Sequence, residues 1–185
     1  MERFAVIYRY GQRWNSRRAH PVDEIDEDTA RAWFEAKEPW FSVTALDTPE
    51  SRVPRYTLEI APAKAFVRVH TYYPSGSLLA GHDYDGGHDP HGQRMFLETA
   101  TFYSYPDIAT LYNRTDMSAK VQYRTRPDGY VRVGAYRADT RREEVTEYRD
   151  VPVDDLWVPA LTEFGDWDRF EVAPGAAPGP ATKTG

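Results

Sequence analysis

Apolar and polar residues alternate with a period of two along most of this chain, and they recur at the helical spacing in one stretch only. The alternation runs through WFSVTAL (40–46), RYTLEIA (55–61), AFVRVHTYY (65–73), SLLAGHDY (77–84), RMFLETATFYSY (94–105), AKVQYRT (119–125), YVRVGAYR (130–137) and EEVTEYRDV (143–151). These runs are rich in β-branched and aromatic residues, and Pro, Gly, Asp or Ser separates them, so each predicts a strand. FAVIYRY (4–10), ended by Gly11, predicts a first strand, and DLWVP (155–159) a short last one.

TRPDGYV (125–131) is the clearest turn: Pro127 presets φ, Asp128 tolerates the bend and Gly129 supplies a positive φ. Its arms, 119–126 and 130–137, are expected to pair as a hairpin. On the first arm Val121, Tyr123 and Thr125 share one face, while Gln122, Arg124 and Arg126 share the other, the pattern of one buried and one wet side.

The helical stretch is DEDTARAWFEAKEP (26–39). Asp26 or Asp28 is placed to cap the first turn, and the surrounding acids suit the positive end of the helix dipole. Ala30, Trp33, Phe34 and Lys37 fall on one side, with Trp33 and Phe34 as its apolar anchor. Pro39 is expected to end the helix, because the residue before a proline is pushed out of the helical region.

Many short strands with one early helix predict a mainly β (α+β) fold: a strongly curved antiparallel sheet or β-barrel with the N-terminal helix packed on it. The length of 185 residues fits a single globular domain, placed at 1–172. LWVPALTEFGDWDRF (156–170) carries Trp157, Phe164, Trp167 and Phe170 and is expected to cover one end of the core. The Pro/Gly/Ala tail at 173–185 has no large apolar residue with which to offset ordering entropy and is expected to be disordered.

Composition narrows the function classes. There is no cysteine, hence no disulfide frame, thiolate metal site or Cys nucleophile. Arginine and tyrosine break the apolar run in MERFAVIYRYGQRW, and no stretch reaches the roughly 18 apolar residues of a membrane span, so a soluble cytoplasmic protein is expected. A net charge of −6 argues against nucleic acid, whose phosphates need a basic excess. The basic cluster Arg13, Arg17 and Arg18 has acids close by and reads as a solvated mixed-charge face.

Chemistry concentrates in GHDYDGGHDPHG (81–92), which holds three of the five histidines. His82, His88 and His91, with Asp83 or Asp85 as anionic partner, are the candidate ligands for a divalent metal, the only cofactor the sequence suggests. Their spacing matches no zinc signature, and the calcium-like DYDG start lacks the later oxygen ligands. The competing reading is a polar hairpin tip around Gly86-Gly87. His70, inside a strand pattern, reads as a structurally satisfied histidine. Glu98 shares a face with Phe96, Ala100 and Phe102, which predicts a carboxylate buried with a raised pKa or, preferably, paired with an arginine.

No serine sits in a nucleophile elbow, and no glycine-rich phosphate loop is present. Whether the chain is an enzyme is therefore left open. The reading placed first is a non-enzymatic acidic binding protein of the antidote type, using DEIDED (23–28) and EFGDWD (163–168) against a protein partner's basic surface. The alternatives are a small-molecule-binding protein or cofactor-free enzyme with an aromatic-lined pocket in a curved sheet, and a metal-dependent protein using the histidine loop. Tyr123, Arg124, Tyr136, Glu98 and Trp33 are the candidate ligand- or partner-binding residues.

Overall fold

The computed structural model describes residues 6–171. Strand β1 (Ile7–Gly11) is followed by a small hairpin, β2 (Arg13–Asn15) and β3 (His20–Val22), and by helix α1 (Glu27–Ala36). The remaining strands are β4 (Phe41–Leu46), β5 (Tyr56–Ala61), β6 (Phe66–Tyr72), β7 (Leu78–Asp85), β8 (Arg94–Ser104), β9 (Ala119–Thr125), β10 (Val131–Arg137), β11 (Arg142–Tyr148) and β12 (Trp157–Pro159). The first residues of the opening strand pattern and the 173–185 tail lie outside the described residues.

The fold is mainly β, with one helix and one large antiparallel sheet in the order β1-β4-β5-β6-β7-β8-β9-β10-β11; β12 pairs with the start of β8. The 119–137 hairpin forms in the expected register, Thr125 opposite Val131, with Gly129 at φ 83° in the turn. Among the described residues the sheet is neither closed into a barrel nor strongly curled, with β1 and β11 at its two ends. The outer edge of β1 is occupied by the chain at 22–25, where the Ile25 N–H donates to Tyr10 O and the Gln12 N–H to Val22 O. At the other end β11 exposes Glu143, Glu144 and Glu147, and a charged edge strand resists further pairing.

Helix α1 begins as the sequence indicates, with the Asp26 carboxylate accepting from the Thr29 N–H at 2.7 Å. It ends at Ala36, three residues before Pro39: Lys37 turns into the left-handed region at φ 60°, and its N–H is bonded back to Phe34 O. A left-handed cap of this kind satisfies the last carbonyls of the helix without help from proline.

One face of the sheet holds the core. Val43, Leu58, Val69, His82, Ala100 and Tyr123 follow one another across β4 to β9 in register, flanked by Phe41, Ile60, Val67, Tyr84 and Leu97. Helix α1 and residues 156–170 cover this face; Trp167 is fully buried, edge-on to Phe34, Phe41 and Phe164. Each fully buried Phe, Leu or Val contributes about 1.5–3 kcal/mol through apolar area removed from water.

A register shift between β7 and β8 alters the expected facing of β8. Asp83 pairs with Thr99 but Tyr84 pairs with Leu97, leaving Glu98 as the unopposed residue of a bulge. Leu97 and Ala100 therefore both face the core, while Phe96 leaves it and packs against Trp157 at 4.9 Å. Glu98 does not share a buried face with Phe96, Ala100 and Phe102. Its side chain is 41% exposed and its partner is His88 at 2.8 Å, not an arginine.

Candidate ligand-binding cleft

The other face of the sheet is polar and only partly wet. In one register row Ser42, Glu59, Arg68, Asp83, Thr99, Arg124 and Arg132 succeed one another from β4 to β10. The next row runs Thr44, Thr57, His70, Gly81, Thr101, Gln122 and Gly134. These are the polar phases of the same alternation whose apolar phases make the core, since neighbouring residues in a strand point to opposite faces.

Two elements fold over the β4–β7 part of this face. One is the β2–β3 hairpin, whose turn is fixed by the Asn15 side chain accepting from the N–H groups of Arg17 and Arg18. The other is the loop at 105–118. Ser77, buried in the sheet's margin, accepts from the Tyr112 N–H at 2.8 Å and donates to Thr110 O. Asp107 accepts from the N–H groups of Ala109 and Thr110 and from the Tyr112 hydroxyl. Tyr112 stacks on Tyr105, with planes within 4°. Arg17 donates to the Asn113 side chain at 3.0 Å, joining hairpin to loop.

Between sheet, hairpin and loop lies a cleft of about 540 Å³. Its floor is Ser42, Thr57, Glu59, His70 and Tyr72, and its walls include Trp14, Arg17, Tyr112 and Arg114. Thr57 and Tyr72 exchange a hydroxyl hydrogen bond of 2.8 Å, and burial pushes the Tyr72 phenol above its ordinary range. His70 stands over Gly81, where an added Cβ would lie 3.3 Å from the imidazole. Burial, helped by the neighbouring Arg68 charge, pushes His70 down to about 4, so its ring is neutral at pH 7. Arg68 grips Asp83 with two hydrogen bonds of 2.7 and 2.8 Å and reaches Glu59 at 3.5 Å. The bidentate carboxylate holds the guanidinium firmly protonated and fixes the floor beside His70. The Trp14 indole N–H is buried at the wall with no hydrogen-bond partner among the described residues.

The candidates from the sequence divide between the two faces. Arg124, Asp83 and Tyr136 lie on the polar face; Tyr123 and Trp33 pack on the core. His82 is 3% exposed, edge-on to Phe102 on the core side, and burial lowers its pKa. His88 pairs with Glu98, His91 is exposed, and Asp85 accepts from the Gly87 N–H. The tip is organised instead by Asp89, which accepts from the N–H groups of His91, Gln93 and Arg94. The structure does not bring His82, His88, His91, Asp83 and Asp85 together, and among the described residues no three His, Asp or Glu side chains gather as a metal cage.

The cleft residues were missed because half-buried polar positions look like wet ones in a strand pattern. Thr57 and Glu59, then Arg68, His70 and Tyr72, are the off-phase residues of two neighbouring strands whose other phase is deeply buried. Five such residues in two consecutive strands are the signal. Arg13 and Arg17, read as a solvated face, line the cleft.

The acidic runs are largely engaged within the chain. Glu24 pairs with Arg9 and His20, Asp26 caps α1, Glu27 pairs with Arg31, Asp166 pairs with Arg169, and Asp168 accepts from Tyr8 and Tyr56. No helix among the described residues is long and apolar enough to cross a membrane. No family model, curated protein or solved structure matches this chain.

Proposed function

We propose that this chain is a binding protein for a small polar molecule, held in the cleft on the polar face of the sheet. The observation that carries this reading is the floor itself: Thr57, Glu59, His70 and Tyr72 are polar, partly or wholly withdrawn from water, and roofed by two separately anchored elements. A sheet face that served solubility alone would stay open to water, and one that served packing would be apolar. A volume of about 540 Å³ falls among ligand pockets, which typically span roughly 300–1,000 Å³. Docking of the acidic runs on a basic partner has weaker support, because the carboxylates it needs already have partners within the chain.

Native mass spectrometry of the protein purified from its own cells tests the reading. A mass increment of one small molecule is expected, lost on denaturation and absent in Ser16→Trp, which places an indole at the cleft wall. A bare mass, or a stoichiometric complex with one protein that Ser16→Trp leaves intact, would overturn it.

A further inference from the structure

We infer that the ligand is a small organic anion, a carboxylate on a flat aromatic body; this deepens the cleft reading and rests on it. The chain carries a net charge of −6, yet the cleft is lined by three arginines, Arg13, Arg17 and Arg114, against one carboxylate, Glu59. That carboxylate faces Arg68, itself clamped to Asp83, so the Glu59 charge is already opposed from within the sheet. Arg13 and Arg114 have no carboxylate within salt-bridge distance among the described residues, unlike Arg9, Arg31, Arg55, Arg68, Arg137 and Arg169.

An arginine fork presents paired donors that match a carboxylate. Deeper in, the floor offers neutral groups: the His70 imidazole and the Thr57–Tyr72 hydroxyl pair. Arg68, the cation beside this floor, is already held by Asp83 and Glu59, so an anion is oriented with its charge toward Arg13 and Arg114 and its body inward. Trp14, Tyr72 and Tyr112 supply aromatic surface for a flat body, and the buried Trp14 N–H supplies an unused donor.

The test is a titration of the full chain with naphthoate, naphthamide and naphthylmethylammonium, three probes of one shape and different charge, followed by NMR at the Trp14 indole and Gly81 amide. Naphthoate is expected to bind roughly tenfold or more tighter than the amide, and the ammonium weakest. Arg13→Gln with Arg114→Gln, both exposed positions, should abolish the preference of naphthoate over the amide. Equal affinities, or a preference for the ammonium, would overturn the anion inference while the cleft reading stands. Silence from all three probes overturns the inference as well, and the cleft reading falls with it only if the native mass is also bare.

Discussion

Two histidines are withdrawn from water in this protein, and acid should find them. His70 is held near 4 by burial and by the adjacent Arg68 charge, against about 6.5 for an exposed imidazole. Between these values the unfolded chain binds a proton that the folded chain refuses, so stability falls as pH drops. The contribution is zero above about pH 7, grows as pH falls through 6.5, and levels off below 4. At 1.36 kcal/mol per pH unit the full displacement is worth about 3 kcal/mol, an upper figure because the cleft is open to water on one side. His82 acts in the same direction, since burial also lowers its pKa. The perturbation that isolates His70 is His70→Gln, which keeps a polar side chain and removes the titration. Urea unfolding of both proteins at pH 7, 5.5 and 4 reads the effect: carboxylate protonation is common to the two and cancels, so the variant should lose less stability on acidification, by about 1–3 kcal/mol at pH 4. Parallel pH profiles would refute the reasoning, as would an NMR titration placing the His70 ring at 6.5 or above.

His82→Leu is expected to stabilise the fold at pH 7 by about 1–3 kcal/mol, because both ring nitrogens are buried without partners and leucine is of similar volume; a loss of stability in thermal unfolding would show that the nitrogens are satisfied. Trp167→Ala should cost about 3–5 kcal/mol by removing the fully buried ring on which Phe34, Phe41 and Phe164 converge, and chemical denaturation measures it.

Most of the fold was legible because strands announce themselves by phase. The large strands of the main sheet and the 119–137 hairpin lie where alternation and turn residues put them. What escaped depended on distance through space. The β2–β3 hairpin is carried by RWN and HPV, three-residue strands too short to show a period. The bulge at Glu98 sets two strands out of step by one residue, and no pattern within β8 records its partner's register. Barrel closure depends on the two end strands meeting, and here the β1 edge is taken by Ile25 while β11 carries glutamates. For the site, residues close in sequence are separated by alternation: His82 turns into the core while Asp83 turns to Arg68. His70 and Thr57, thirteen residues apart, are cross-strand neighbours.

The two faces of the sheet also differ in what their covers cost. Helix α1 and residues 156–170 bury apolar rings against apolar strands, so that cover repays its ordering entropy through area removed from water. The β2–β3 hairpin and the 105–118 loop withdraw Ser42, Thr57, Glu59 and His70 from water, an arrangement that weakens the fold unless each group finds a partner. Some do: Ser42 donates to Gly11 O, and Thr57 bonds Tyr72. The Trp14 N–H has no hydrogen-bond partner among the described residues. A roof anchored at Ser77, Asp107 and Asn113, carrying at the cleft wall a Trp14 N–H that folding alone leaves unpaired, is what a ligand that completes that bond would require. Such a ligand would bind the folded chain and not the unfolded one, and so would raise the melting temperature as its concentration rises above its Kd.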